Sequence, residues 1–423
     1  MSESRTTQNF RAFAKFGSFF ASFPYYFSTE KTVKIPFLLK LYCYGIFLLS
    51  LIILVQITPD YLANLQWKTT STRPTDNFCF TSFIAIFFIV KIVSYVICLL
   101  KNRNIVKLLA YFDSYDEESH FDTKKNISPI DFHFWGLLTG SLITIVGNYL
   151  VARHQFVVIL SSDNAKYYLV TLLSWGNIDI AIFLNYVAHC FCEVSFIFHM
   201  CTLVYFLRCL KQKMIALQNQ IVEKNLANDK VVVFENMLLS RKVFHINKIP
   251  GYEKAVVGFE NPVEKLQKLV RIMREINCFC GEFIFVFISL TLCMGIVLLY
   301  VIITSLIYMA TADRNLEIMK LGMFALTTVF LFSALKVAVL VNAGEQLKNV
   351  RQNFIFNLDM IRHENIHQIY DDNTVGDLKQ LIKNHKFEIN ACGFFIVNRK
   401  LVVAMIGSMI SFIVVLVQFR STE

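Results

Sequence analysis

The stretch LVVAMIGSMISFIVVLVQF, Leu401 to Phe419, decides what kind of molecule this is. It carries no charge and approaches the ~20 apolar residues that a helix needs to cross a bilayer. Its residues are nevertheless sorted. Ala404, Ser408, Ser411, Val415 and Gln418 recur every three to four positions and share one helical face, small and polar. Met405, Met409, Phe412, Leu416 and Phe419 form the opposite face, which is wholly apolar. Lipid on all sides gives no reason for such sorting, so one side of this helix meets other helices or water.

The rest of the chain has the same character. Hydrophobic residues make up 55% of its 423 residues, and mean hydropathy is +0.51, far above a soluble mixture. The expected fold is all-α and polytopic, with seven membrane spans at about 35–57, 78–100, 132–151, 168–207, 279–310, 320–343 and 394–419. The fourth run outlasts the bilayer and continues as a helix through Arg208–Glu223, with Leu207, Leu210, Met214, Leu217 and Ile221 on one face. Ahead of span one, Phe10, Phe13, Phe16, Phe20 and Phe23 fall at roughly helical spacing with Arg11 and Lys15 between them. That pattern predicts an amphipathic helix at the membrane interface. The first apolar run starts only near Ile35, so no cleavable signal peptide is expected. The cysteines, including Cys43, Cys98, Cys190, Cys192, Cys201 and Cys293, lie mostly in or beside apolar runs, where thiols act as small hydrophobes rather than as a disulfide framework.

Charge sets the orientation. Segments 1–34, 101–131, 208–278 and 344–393 hold 29 Lys and Arg, whereas the alternate segments hold 7. The positive-inside rule places the N-terminus in the cytoplasm and the C-terminus outside. The net charge of +10 therefore belongs to cytoplasmic loops and implies no nucleic-acid partner. A G-protein-coupled receptor has the reverse orientation. Span three here ends in Val151-Ala152-Arg153 without an acidic–Arg–aromatic triplet, Asn261-Pro262 lies in a loop, and Cys79 has no partner cysteine near the outer surface. Stripes at Leu266/Leu269/Val270/Met273/Ile276, Leu347/Val350/Phe354/Leu358/Ile361 and Leu378/Leu381/Ile382/Phe387 predict a compact cytoplasmic helical domain. The organisation expected is a cytoplasmic segment 1–34, spans one to six with cytoplasmic extensions over 35–343 (208–278 the largest), anchor helices over 344–393, and span seven with a short outer tail over 394–423.

Several constellations bear on chemistry. His363-Glu364-Asn365-Ile366-His367 matches H-E-x-x-H, which on a helix puts two imidazoles on one face for zinc with the Glu as base. Its polar flanks read as a solvated cytoplasmic helix, and no downstream signature singles out a third ligand, so no metal or other cofactor is expected. His189 and Glu193 stand four apart in span four and are expected to share a hydrogen bond facing the bundle. Lys91 and Lys336 interrupt spans two and six near their inner ends, where a long stem snorkels to the surface. Toward the outer side, Asn148, Trp175, Asn177, Asp179, Tyr300, Thr304 and Thr327 gather polar and aromatic groups. They read either as the lining of a small-molecule pocket or as an interfacial aromatic belt.

Three stretches carry a family resemblance. Ala391-Cys392-Gly393-Phe394-Phe395-Ile396-Val397-Asn398-Arg399-Lys400-Leu401, followed by Ser411-Phe412, five apolar residues and Gln418-Phe419, resembles the C-terminus of insect gustatory receptors, whose signature is Thr-Tyr, five apolar residues, Gln-Phe. Ile276-Asn277-Cys278-Phe279-Cys280-Gly281 is similar to a second family motif. Ser411-Phe412 in place of Thr-Tyr keeps a hydroxyl and a ring. Ile413 stands where sugar-receptor branches carry Glu, which leaves fructose-type, bitter-type and orphan receptors. The resemblance implies a tastant-gated, non-selective cation channel in the plasma membrane of chemosensory neurons, built from four copies of the chain or with related subunits, and not an enzyme. It implies further that Ser408, Ser411, Val415, Gln418 and Phe419 form pore and gate, and that the tastant binds in the outer bundle. The alternatives are a membrane zinc metalloprotease using His363, Glu364 and His367, and a metabotropic seven-helix receptor.

Overall fold

The structure, a computed structural model, describes residues 5–19, 26–27, 33–34, 36–45, 48, 74–119, 129, 131–160, 178–239, 261–311, 316–363 and 372–422, with side chains over most of that length. Among the described residues, besides a helical stretch at 37–45, the architecture is carried by α1 (Arg5–Phe19), α2 (Pro74–Ser119), α3 (Phe132–Leu160), α4 (Ile178–Leu239), α5 (Pro262–Thr311), α6 (Leu316–His363), α7 (Asp372–Asn384) and α8 (Arg399–Thr422). Two short antiparallel hairpins complete it, β1 (Tyr26–Phe27) with β2 (Val33–Lys34), and β3 (Asn390–Ala391) with β4 (Phe395–Ile396). Of expected span one, only 36–45 and Leu48 fall among the described residues.

Local chemistry starts these helices where they start. Pro74 opens α2 with Asp76 in its first turn, the order that suits a helix N-terminus. Asp131 caps α3 through its carboxylate, which accepts from the Phe134 amide at 3.1 Å. The same device opens α5: Asn261 Oδ1 accepts from the Val263 amide at 2.9 Å, with Pro262 in the first helical position. Long stretches qualify as spans by length and apolarity: Cys190–Val222, Pro262–Ile307, Met323–Met360 and Arg399–Thr422. Both α5 and α6 run unbroken from the apolar region into the cytoplasmic one, so membrane and cytoplasmic parts share one continuous core. Leu266, Leu269, Ile276, Leu347, Phe354, Leu358, Leu378 and Ile382 are all buried within it.

The N-terminal helix departs from expectation. Rather than lying on the interface, α1 drives Phe10 and Phe13 fully into the bundle. Phe10 meets Tyr205 at 6.0 Å and Phe206 at 5.5 Å between ring centroids, and Phe13 meets Phe198 at 5.0 Å and Phe134 at 5.6 Å. Thr7 donates to Asp113 at 2.6 Å, and Tyr205 Oη donates to the Thr6 carbonyl at 2.7 Å. Rings sunk among other rings gain contact area and favourable edge geometry that a half-exposed interfacial helix forgoes. Phe20 and Phe23 lie outside the described residues.

A second departure concerns Lys336. It does not snorkel. It is 8% exposed and ion-paired to Glu193 of α4, itself 5% exposed, whose carboxylate also accepts from Ser141 of α3 at 3.0 Å. The ammonium lies 4.7 Å from the Phe332 ring centroid and 5.0 Å from that of Phe196. A carboxylate on the neighbouring helix, plus two aromatic faces, holds the cation better here than a stretch to distant water. Glu193 is thus engaged by Lys336 and Ser141, while the side chains of His189 and Lys91 lie outside the described residues. Nearby, Gly140 leaves room for the Phe332 ring, with which any Cβ would collide. Three helices, α3, α4 and α6, meet at this point.

The connection into α8 is the tightest part of the fold. Ala391 to Phe394 make a turn with Cys392 at φ 52° and Gly393 at φ 87°, closed by the Phe394 amide on the Ala391 carbonyl at 3.0 Å. Two successive positive φ values are the mark of a hairpin turn, and a cysteine at the first costs of order 1 kcal/mol. The hairpin sits directly on two helix backbones. A Cβ on Gly281 of α5 would stand 3.2 Å from the Asn390 carbonyl oxygen, and one on Gly344 of α6 would strike the Val397 carbonyl oxygen. Asn277 of α5 completes the seam: its amide donates to the Glu388 carbonyl at 3.1 Å and accepts from the Asn390 amide at 3.0 Å. Phe394 stacks on Phe285 at 4.6 Å. Asn398 then caps α8, accepting from the Lys400 amide at 3.0 Å.

Three stability outcomes are expected. Lys336→Met alone strands a buried carboxylate and should cost ~3–5 kcal/mol, whereas Lys336→Met with Glu193→Leu should recover most of it; thermal unfolding of the detergent-solubilised protein reads the difference. Equal losses in the single and double variants would refute the buried-pair account. Gly344→Ala should lower the unfolding midpoint by several degrees, because a backbone carbonyl cannot step aside. Gly376→Ala in α7, where an added Cβ meets nothing within 4 Å, should raise stability by ~0.5–1 kcal/mol.

Candidate functional site

α8 is 24 residues long and apolar enough to span a bilayer, yet among its residues only Met405 is buried. One stripe seats it on its own chain. Leu401, Met405 and Met409 pack against the main core, and Leu416 packs against a smaller cluster formed by Cys79, Met294, Leu298 and Tyr300. Gly295 of α5 lies under this seat, where a Cβ would stand 2.6 Å from Met409 Cε and the flexible thioether would have to shift. At the far end Arg420 turns back onto the bundle. Its Nε stands 3.2 Å from Oδ1 and 3.4 Å from Oδ2 of Asp76, and the same carboxylate accepts from Tyr300 Oη at 2.6 Å. The outer end of α8 is therefore joined to α2 and α5 through three polar side chains.

The remaining faces of α8 are open. Ala404, Ser411, Val415 and Gln418 are exposed, and Ser408 is half-buried. Ser411 Oγ donates to the Gly407 carbonyl at 3.0 Å, as a helical hydroxyl does in an apolar setting. The apolar face divides: Met405, Met409 and Leu416 are seated, but Phe412 and Phe419 are 56% and 60% exposed. Lying at the flank, those two rings present themselves to lipid or to a neighbouring chain.

Of the residues expected to gather near a pocket, Tyr300, Thr304 and Thr327 are described in full. Tyr300 is fully buried, with its phenol committed to Asp76. The Thr304 hydroxyl donates to the Tyr300 carbonyl at 3.0 Å and that of Thr327 to the Met323 carbonyl at 2.8 Å, so both are satisfied within their own helices. Trp175 and Asn177 lie outside the described residues, as do the side chains of Asn148 and Asp179. His363 ends α6, while Glu364 and His367 lie outside the described residues. Among the described residues, no group of three or more His, Cys, Asp or Glu is placed to hold a metal.

Sequence reasoning did not find the Asp76–Tyr300–Arg420 cluster or the Glu193–Lys336–Ser141 one. The partners lie far apart in the chain, 224 positions between Asp76 and Tyr300 and 143 between Glu193 and Lys336, so no local spacing links them. The one available signal was charge itself, since each group interrupts or borders an apolar run.

Comparison with known proteins agrees with this architecture. The insect olfactory receptor OR5 from Machilis hrabei in complex with eugenol superposes with a TM-score of 0.61 at 15% identity, covering 96% of this chain and 98% of that one. A second structure of that receptor gives 0.58 at 14% identity, covering 97% and 98%. At such identities the likeness is one of fold: all-α, with seven membrane helices, the N-terminus cytoplasmic and the C-terminus outside. No curated protein matches the chain. A family profile described as "7tm Chemosensory receptor" matches residues 10–423. This chain belongs to the seven-transmembrane chemosensory receptor family.

Proposed function

We propose that this chemosensory receptor is a gustatory receptor acting as a channel, assembled from four copies of the chain or with related subunits and opened by a small-molecule tastant. It passes monovalent cations and calcium across the plasma membrane of chemosensory neurons. One observation carries the reading: a membrane-length helix seated by a single stripe leaves Ala404, Ser411, Val415 and Gln418 exposed on the other side. An exposed amide facing lipid is costly, and facing a shared aqueous axis it is not. In that arrangement Val415 forms an apolar ring that closes the path by dewetting, Gln418 a hydrated ring outside it, and Ser408 and Ser411 the wall below. Phe419 and Phe412 brace the flank.

The taste assignment rests on the signature Ser411-Phe412, five apolar residues, Gln418-Phe419. Ile413, where sugar-receptor branches carry Glu, directs the search toward fructose-type and bitter compounds. On this reading the tastant binds in the outer half of the bundle near Tyr300, Thr304 and Thr327 of α5 and α6, with Asn148, Trp175, Asn177 and Asp179 as the further residues expected to line the site. The related olfactory receptor OR5 is seen with eugenol, so compact phenols join the panel of candidates. The family and fold are those of chemosensory receptors, which carries the function away from a zinc protease.

Expression in a heterologous cell without added G protein, with currents recorded against a panel of fructose, bitter alkaloids and eugenol, tests the reading. A responding compound should evoke cation current directly. Gln418→Ala should shift the calcium-to-sodium permeability ratio by ~2-fold or more, and Val415→Ala should raise current in the absence of compound, because a smaller ring is easier to wet. Permeation and gating left unchanged by both substitutions would remove α8 from the pore.

A further inference from the structure

The two ends of α8 are held by different kinds of bond. At the cytoplasmic end the hairpin backbone is pressed onto Gly281 and Gly344, with Asn277 stitching it to α5. The two glycine contacts do not loosen without moving a backbone. At the outer end, among the described residues, Arg420 and Tyr300 share the carboxylate of Asp76. The Arg420–Asp76 pair is partly open to water, with side chains 18% and 17% exposed. A helix rooted firmly at one end and tied by side chains at the other moves at the tied end.

The tie also has a direction. Asp76 lies in the first turn of α2, where the helix dipole favours a carboxylate, and Arg420 lies in the last turn of α8, where it favours a cation. Arg420 shares the seated stripe of α8 with Met409 and Leu416, whereas Gln418, two residues earlier, points about 160° away around the helix. Closing the Arg420–Asp76 pair therefore draws Gln418 toward its own bundle and away from whatever the exposed face meets.

We infer that Asp76, with Tyr300 and Arg420, is a gating tie: it holds the outer end of α8 against α2 and α5 and so stabilises the wide position of the Gln418 ring. Asp76 and Tyr300 are positioning residues, acting on the pore through Arg420. Tyr300 links the tie to α5, the helix that also carries Thr304, so a ligand that shifts this part of α5 changes the tie directly. The inference rests on the proposed reading that the exposed face of α8 looks onto an axis shared by copies of the chain.

Cross-linking between copies reads the position of the ring without any ligand. In membranes of cells expressing the full chain, Gln418→Cys is oxidised with copper phenanthroline and covalent dimers are followed on non-reducing gels, with the parent chain as control for native cysteines. Adding Asp76→Asn, or separately Arg420→Gln, should raise the cross-linking rate by ~5-fold, as an ion pair of ordinary strength is lost and the outer ends approach one another. The charge exchange Asp76→Arg with Arg420→Asp should bring the rate below that of either single variant, stopping short of the parent because the exchanged charges oppose both helix dipoles, and loss of folding would not lower it; surface biotinylation confirms equal delivery. Equal rates with and without the tie overturn the inference, and a lowered rate overturns its direction. Absence of Gln418→Cys cross-links in every background overturns the shared-axis reading beneath it, so the two failures are distinct.

Discussion

The backbone of the β3–β4 hairpin and of Val397 just after it lies so close to α5 and α6 that only a hydrogen fits at residue 344, and a Cβ at residue 281 would be crowded at 3.2 Å from the Asn390 carbonyl oxygen. This contact fixes where the last helix begins and at what angle it leaves the cytoplasmic core. A side chain can adopt another rotamer when crowded, but a carbonyl oxygen fixed by its own chain cannot. The Asn277 side chain, bonded to both the Glu388 carbonyl and the Asn390 amide, substitutes for a missing strand neighbour and pairs two backbone groups of the hairpin with α5. Cys392, held at positive φ, sits in the turn that makes this approach possible.

Above that root, the bundle solves the problem of polarity in an apolar medium by concentrating it. Glu193, Lys336 and Ser141 come from three helices and satisfy one another, with Phe196 and Phe332 closing over the cation. Each group alone would be expensive at this depth, and each is specified by the other two. The same economy governs the outer rim, where Asp76 serves Tyr300 and Arg420 together. Between the two clusters the contacts are apolar, Leu298 and Met294 with Val301 and Leu416, and these fit by shape without fixing register as a charge pair does.

What could be read from the chain alone follows the range of the interactions. Periodicity is local, so Leu266, Leu269 and Ile276 announced a buried stripe and Pro262 its start, and α5 has both. The Ile276–Gly281 motif was visible as a motif, but its physical job, a seam for a hairpin more than 100 residues later, was not. Lys336 was misjudged because hydropathy gives a depth and no partner. α1 was misjudged because an amphipathic pattern describes two faces without saying whether the greasy one meets lipid or Phe198. In each case the missing quantity was a contact between distant positions, which composition and spacing do not encode.

The distribution of rigidity has a mechanical consequence for the last helix. Its lower part is continuous with the cytoplasmic core through backbone contacts, its middle rests on Gly295 through the flexible Met409 side chain, and its outer end is held by Leu416 packing and the Arg420–Asp76 pair. Resistance to displacement therefore falls from root to tip, in the order backbone, thioether, ion pair. A helix with that gradient pivots rather than slides. In the proposed gating, displacement is therefore largest near Val415 and Gln418 and smallest at Asn398, so a small rearrangement among the outer ends of α2 and α5 would move the exposed stripe while leaving its foundation undisturbed.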